Sequence, residues 1–353
     1  MGKSLWMFGF LALASATACS RMDPDAGWVK PGPLTAVAPV KAPVAKSGKE
    51  ESASSPSLAG QTLSMDQAVG LALENNASLR ALARQVTATE YRRLQAGRWN
   101  NPELEVSAED WLGSDVFSGV EQMQLTAQLR QDLDIGGKRS ARAQVQGFLR
   151  NAAGWALELG RLRLQHRTRQ AFADTLAAQQ TLQLSEEEVA LAEQVSQVFA
   201  AQAAAGRVAG MEEERARIAV ELAKLDLESA RMRLNSARQS LSACWGAAQP
   251  GFAEVQGSLT PPPRLPDPKG MLASLDMHPR LKLLEEQVHA QEAQVEAEQA
   301  QGLPNLSLML GYRYLNNTGD SAMVAGLGLP VPFFDRNQDG EAAARQDWAA
   351  AKD

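Results

Sequence analysis

The side chains able to do chemistry are few and scattered. Two cysteines and three histidines occur in 353 residues, and His166, His278 and His289 stand far apart, so no Cys/His set with metal-ligand spacing can be drawn. No Ser/His/Asp arrangement presents itself either, and the chain reads as a non-enzyme with no metal or cofactor of its own. Gly136-Gly137-Lys138 has the outline of a phosphate loop. That motif, however, needs Gly five residues before the second Gly and Ser or Thr after the Lys, where this chain has Asp132 and Arg139. The two glycines are read instead as a turn that uses their tolerance of positive φ. Glu212, Glu213 and Glu214 follow a glycine-flanked break. At a helix N-terminus such carboxylates complement the macrodipole, and repeated around an opening they would form an acidic ring that draws cations.

The first residues read as an address. Lys3 supplies a positive end, Leu5 to Ala14 is a short apolar run and small residues follow, so 1–18 is expected to be an export signal, too short to span a bilayer. Ala16-Thr17-Ala18-Cys19 resembles the lipobox of bacterial lipoproteins. That resemblance implies lipidation of Cys19, and Ser20 after it implies the outer membrane as destination. Residues 19–61 are rich in Pro, Ala, Ser, Val and Lys without periodicity, as in a disordered tether.

Behind these groups stands a helical frame. The apolar share is 44% and the aromatic share only 5%, so the apolar content is largely Ala, Leu and Val, residues of long packed helices. A net charge of -6 argues against a nucleic-acid partner. No proline interrupts Lys138 to Ala205, and Val145, Leu149, Ala152, Ala156 and Leu159 step by 4, 3, 4, 3, the seam of a coiled coil. At ~1.5 Å per residue this helix would run about 100 Å. A break at Gly206 to Gly210 precedes a second helix from Met211 to about Trp245 with a seam at Leu227, Ala230, Leu234, Ala237, Leu241 and Cys244, the last read as a small buried hydrophobe. A further helix is expected from Met65 to about Trp99.

Between the helices the pattern changes to period two. Leu104, Val106 and Ala108 alternate with Glu103, Glu105, Ser107 and Glu109; Met123, Leu125, Ala127 and Leu129 alternate with Gln124, Thr126, Gln128 and Arg130. Later, Leu306, Leu308, Leu310, Tyr312 and Tyr314 form one face, and Met323, Ala325, Leu327, Leu329 and Val331 another. Strands of ~10 residues suit a tilted crossing of a hydrocarbon core. Four strands cannot close a barrel in which every backbone group is paired, so several chains must share one. Tyr312, Tyr314 and Trp111 stand near strand ends, where interfacial aromatics or ordinary loop packing would place them.

The order of elements repeats. At an offset of 202, Ser78-Leu79 aligns with Arg280-Leu281 and Asn101-Pro102-Glu103-Leu104 with Leu303-Pro304-Asn305-Leu306; Asp134-Ile135-Gly136-Gly137 and Asp335-Arg336-Asn337-Gln338 occupy equivalent strand-to-helix turns. The first repeat is expected at 62–247, a Pro-rich linker at 248–267 and a second, incomplete repeat at 268–353. A second copy ending at the same offset would need about 95 further residues, and the chain is expected to be C-terminally truncated.

The chain resembles the outer membrane efflux protein family, the TolC-like channel-tunnels, and within it the heavy-metal efflux lipoproteins of the CzcC type. The resemblance is carried by Leu63-Ser64-Met65-Asp66-Gln67-Ala68, Leu71-Ala72-Leu73-Glu74-Asn75-Asn76, Asn101-Pro102-Glu103-Leu104, Gln131-Asp132-Leu133-Asp134-Ile135-Gly136-Gly137-Lys138-Arg139, Ala205-Gly206-Arg207-Val208, Gly302-Leu303-Pro304-Asn305-Leu306 and Leu329-Pro330-Val331-Pro332-Phe333-Phe334-Asp335-Arg336-Asn337. It implies a mainly α fold with membrane β-strands: a duplicated helix-strand-strand-helix unit, trimeric, forming an α-helical tunnel and a shared barrel of about 12 strands. It implies a passive outer-membrane conduit, lipid-anchored and reaching into the periplasm, serving an inner-membrane RND-type pump through a periplasmic adaptor, with heavy-metal cations as cargo. Loops Trp111 to Val120 and Leu315 to Ala322 would then be extracellular, Gly206, Arg207 and Val208 the tip that meets the adaptor, and Glu212, Glu213 and Glu214 the tunnel entrance. The alternatives are a drug-efflux or type I secretion duct, a lipid-anchored periplasmic coiled-coil scaffold, and a non-functional truncated fragment.

Overall fold

The structure, a computed structural model, describes residues 60–259 and 268–353. The export signal, Cys19 and nearly all of the tether lie outside the described residues.

The chain opens with β1 (Thr62–Leu63), α1 (Met65–Asn75) and α2 (Ala77–Ala96). The single helix expected from Met65 to Trp99 is thus two. Ser64 starts α1 through a capping box with Gln67, and Asn76 both ends α1 and caps α2, its Oδ1 accepting from the Leu79 N–H at 3.0 Å. An extended residue at 76 breaks the i→i−4 ladder, and its side chain satisfies one of the donors so released. Asn76 Nδ2 also donates to the Cys244 carbonyl at 2.8 Å, tying the kink to a segment 168 residues away.

A hairpin follows: β2 (Glu103–Glu109), a loop containing a 3-10 turn at Asp115–Phe117, and β3 (Gln124–Leu133). α3 (Lys138–Ala204) is one uninterrupted helix of 67 residues and α4 (Gly210–Ala243) returns along it. Thr168 and Thr175 are fully buried within α3 without penalty, because their hydroxyls donate to the Leu164 and Ala171 carbonyls one turn back. β4 (Glu254–Val255), α5 (Pro268–Ala273) and α6 (Pro279–Gln301) lead to a second hairpin, β5 (Leu306–Leu315) and β6 (Asp320–Gly328), and then to α7 (Gln338–Lys352). The second hairpin turn needs only residues 316–319, shorter than the loop expected from Leu315 to Ala322, because the ladder continues to Leu315↔Asp320.

The four long strands make one antiparallel sheet in the order β2-β3-β5-β6, so the hairpins of the two repeats join through β3 and β5. Beyond Gly328 the alternation of β6 runs out: Leu329 and Val331 carry no ladder bonds, the prolines at 330 and 332 having no N–H to give.

The core strings along α3. Near its start, Val145 packs with Ala293 and Ala297 of α6. Farther along, Gly160 lets Leu82 of α2 come close enough that a Cβ at 160 would collide with it. The largest cluster surrounds Phe172 and Leu176, with Leu63, Ala68, Leu79, Leu241, Cys244, Trp245, Phe252 and Val255. Cys244 is a free, buried thiol there. Of the expected α3 seam, Val145, Ala152 and Leu159 are buried but Leu149 is 38% exposed, since α3 faces α6 and α2 in turn and no single stripe serves both. The inter-repeat segment pairs in parallel with β1, and Gln179 clamps its other edge by donating to the Val255 carbonyl and accepting from the Val255 N–H.

Among the described residues no helix is long and apolar enough to cross a membrane.

Candidate functional site

Three places carry the candidate residues: the collar where strands become helices, the two faces of the sheet, and the tip of the α3–α4 hairpin.

At the collar, Gly136 and Gly137 have φ of 71° and 77°, and Gly137 caps α3 from the left-handed region. A β-carbon there would be strained. Gly136 also lies beneath Leu303 of the second repeat, whose side chain occupies the space a Cβ would need. The turn is braced by the Asp134–Arg142 ion pair at 2.5 Å, with Asp134 almost wholly buried. Lys138 points inward, 5% exposed, and donates to Asn305 Oδ1 at 2.7 Å. Burial pushes the Lys138 ammonium below the usual lysine range; the Asp134 carboxylate opposes that shift and the Arg142 guanidinium adds to it. Arg139 stacks its guanidinium 4.0 Å from the Trp99 ring centre.

The second collar turn solves the same problem without glycine. Asn337 takes φ of 59° as the cap of α7, and its N–H donates to Asp335 Oδ1 at 2.9 Å. Its side chain donates to the Glu298 carbonyl at 2.9 Å and carboxylate at 2.6 Å, bonds that offset the left-handed backbone. Gly302 meets the Arg336 carbonyl so closely that a Cβ would not fit. Gly302 and Leu303 are therefore the hinge-pin of the collar, one turn seated on each. The expected turn residues Gly136, Gly137, Asp335 and Asn337 come together here, and Leu303 and Asn305 join them. Nothing in residue type marks Asn305 out; only its place in Pro304-Asn305-Leu306, beside the equivalent turn of the other repeat, could have done so.

The ladder register sorts the sheet into two faces. One carries Leu104, Val106, Leu125, Leu129, Leu308, Leu310, Tyr312, Met323 and Leu327 in cross-strand sets, most of them exposed. The other carries Glu103, Glu105 and Glu109 from β2, Gln124, Thr126, Gln128, Arg130 and Asp132 from β3, Ser307 and Arg313 from β5 and Asp320 from β6. Five carboxylates thus share this face with two guanidiniums. Gln128 Nε2 donates to Glu105 at 2.8 Å, Arg313 Nε to Thr126 Oγ1 at 2.9 Å, and Arg130 pairs with Asp132 at 3.3 Å. The β2 glutamates were visible only as the polar half of an alternating strand; the register shows that they face the same side as the polar residues of β3 and β5.

At the far end of α3, Gly206 (φ 67°) closes the helix in a Schellman motif: its N–H bonds the Ala203 carbonyl and the Arg207 N–H bonds the Gln202 carbonyl. Arg207 is exposed and Val208 half-buried. Glu212 and Glu213 lie in the first turn of α4 and Glu214 follows it; Glu212 pairs with Arg215 at 2.9 Å and Glu214 with Arg217 at 2.6 Å. Two of the three expected ring carboxylates therefore carry their own counter-charges. Collar and tip are separated by the 67 residues of α3, about 100 Å. His278 caps α6 through its Nδ1, and His289 stands against Phe148 and Glu292. Among the described residues no three His, Cys, Asp or Glu are grouped to hold a metal ion.

The model of the family described as "Outer membrane efflux protein" matches residues 68–247, the stretch that holds the kink, the first hairpin, the first collar turn and the tip. The cobalt-zinc-cadmium resistance protein CzcC of Cupriavidus metallidurans is 32% identical over 283 residues, 80% of this chain and 66% of that protein. The nickel and cobalt resistance protein CnrC of the same organism is 31% identical over 311 residues, 88% of this chain and 71% of that protein. This chain belongs to the outer membrane efflux protein family. The nickel-cobalt-cadmium resistance protein NccC of Alcaligenes xylosoxydans xylosoxydans matches at 30% identity over 73% of this chain and 58% of its own length. The chain thus spans less than two thirds of the CzcC and NccC lengths. Among solved structures, CusC aligns with a TM-score of 0.67 at 19% identity, covering 81% of this chain and 70% of that one. VceC of Vibrio cholerae aligns with 0.66 at 18%, covering 81% and 73%. The fold is that of the TolC-like outer-membrane channels, and family membership implies an outer-membrane location.

Proposed function

We propose that this chain is the outer-membrane duct of a three-part efflux system, passing heavy-metal cations to the exterior without doing work on them. The observation that carries the reading is the two-faced sheet. One face is apolar and the other mostly polar, the outer edges of β2 and β6 have no ladder partner among the described residues, and β3 continues through the collar into α3, a helix far longer than a bilayer is thick. In lipid those edges must be paired. Three copies, four strands each, would close a barrel of about 12 strands with the apolar face outward.

The polar face then lines the lumen, and its excess of carboxylates supports cations as cargo. The names of CzcC, NccC and CnrC point the same way. In this reading Gly206, Arg207 and Val208 meet a periplasmic adaptor, an inner-membrane pump of the RND type supplies the energy, and a lipid on Cys19 holds the N-terminus at the outer membrane. Glu212, Glu213 and Glu214 would ring the tunnel entrance, with Arg215 and Arg217 reducing their field.

Deletion of the gene, followed by growth on cobalt, zinc, cadmium, nickel, copper and silver salts, tests the cargo: tolerance should fall for at least one metal, and unchanged tolerance to all would overturn the metal assignment. Heat-modifiable trimers in outer-membrane fractions test the duct, and a chain that stays monomeric there would overturn it.

A further inference from the structure

The two collar exits differ in a way that the duplication does not require. Where β3 leaves the sheet the sequence is polar, Gln131-Asp132-Leu133-Asp134, and the turn is covered by Leu303 and braced by Arg142. Where β6 leaves, the chain is uncharged from Ser321 to Phe334, and nothing described covers the last part of that run. Phe333 is 78% exposed and Phe334 94%, with Leu329 and Val331 more than half exposed beside them. Two adjacent phenylalanines left in water forfeit most of the stabilisation that burying their rings would bring.

The order and direction of the strands say which edge would lie next to them. β2 runs away from the helices and β6 runs back toward them, so β6 of one copy meets β2 of another as an antiparallel pair, continuing the alternation of the sheet. Glu103 pairs with Arg130, Asp132 with Ser307 and Ser307 with Gly328, so β2 starts two ladder steps above the point where β6 ends. The residues just before β2 and those just after β6 therefore both lie at the collar end of the two edges that would meet. Among them is Trp99, 57% exposed, with Arg139 stacked on its indole.

We propose that Phe333 and Phe334 of each copy pack against Trp99 of the next, a ring of three aromatic clasps at the collar that joins copies below the barrel. This inference rests on the trimeric duct. The clasp needs no charge, which fits the uncharged exit, and it would use Arg139 as the far side of a stacked sandwich.

The test uses full-length chain in outer-membrane vesicles, with Phe334→p-benzoylphenylalanine as a photo-crosslinker and a mixture of isotopically light and heavy copies. Irradiation should give a crosslinked dimer band, and mass spectrometry should place the link on the peptide containing Trp99, in mixed light–heavy pairs. As a control, the same crosslinker at exposed Leu184, far along α3 from the collar, should not reach that peptide. Intact trimers whose crosslinks go only to lipid, or only within one copy, would overturn the clasp while leaving the duct standing. A chain with no trimers would overturn both.

Discussion

Leu303 stands over Gly136, filling the volume that any side chain at 136 would need. The contact joins the first repeat to the second at the point where sheet gives way to helix. Gly136→Ala should therefore suffer twice, from a left-handed φ and from the collision, and lose about 2–4 kcal/mol of stability. Gly137→Ala, whose β-carbon would meet only Ser140 Oγ at 3.4 Å, should lose only about 1 kcal/mol. Thermal unfolding of both variants checks the order, and Leu303→Ala in the Gly136→Ala background should recover part of the loss.

Asn76 offers a second separation. Asn76→Ala removes the α2 cap and the bond to the Cys244 carbonyl together, for an expected loss of about 1–2 kcal/mol. Asn76→Asp keeps the acceptor for the Leu79 N–H and loses the donor to Cys244, so it should fall between. Equal losses in the two variants, measured by denaturant unfolding, would mean that the cap itself contributes nothing beyond the link across to α4.

The pH dependence has a sign that can be worked out. The Arg93 side chain, bonding Glu90 twice, holds the Glu90 carboxyl below its ordinary value of 4.5; burial opposes this, and the charges of Arg93 and Arg150 assist it. A carboxyl depressed in the folded state contributes stability that is full above 4.5 and disappears as pH falls through the lowered value. Glu90→Gln should be the less stable protein at neutral pH, and the two unfolding curves should converge on acidification.

In the proposed duct, charge divides between two places. Because Glu212 and Glu214 are each matched by an arginine one turn on, the triple change of Glu212, Glu213 and Glu214 to Gln should alter cation preference little. The triple change of Glu103, Glu105 and Glu109 to Gln removes carboxylates that two guanidiniums do not balance, and should lower the cation-to-anion permeability ratio several-fold. Reversal potentials in planar bilayers under a salt gradient distinguish the two, and the opposite ranking would place the selectivity at the tip.

Periodicity explains why so much was legible beforehand. A 67-residue helix without proline and strands with strict alternation have signals longer than any local exception, and the two glycines of Gly136-Gly137 announced a positive φ. The kink was harder, since Asn76 lies in a good helical pattern and its effect comes from a partner 168 residues on. The clamp of Gln179 on Val255 left no trace, because a glutamine on a helix looks solvated until something with free backbone groups comes beside it. The loop expected at Trp111 to Val120 spans 110–123, and nothing in the sequence announced that Asp110, Leu112 and Asp115 all take positive φ there. At the tip, Arg215 and Arg217 were visible in the sequence, but their pairing with the glutamates depends on rotamers and not on spacing alone.

The join between β3 and β5 also governs the order of assembly. Each hairpin pairs residues close in sequence, yet Leu133 must find Leu306 and Gln124 must find Leu315, at separations of 173 and 191 residues. A contact that distant closes slowly if the intervening chain is loose. Docking of α6 on α3, through Val145, Ala293 and Ala297, brings the two hairpins side by side first and shortens the search. Nascent chains should thus acquire their helical pairs in the aqueous compartment and zip the central ladder afterwards, so that the surface proposed to face lipid is completed only when there is a bilayer to receive it.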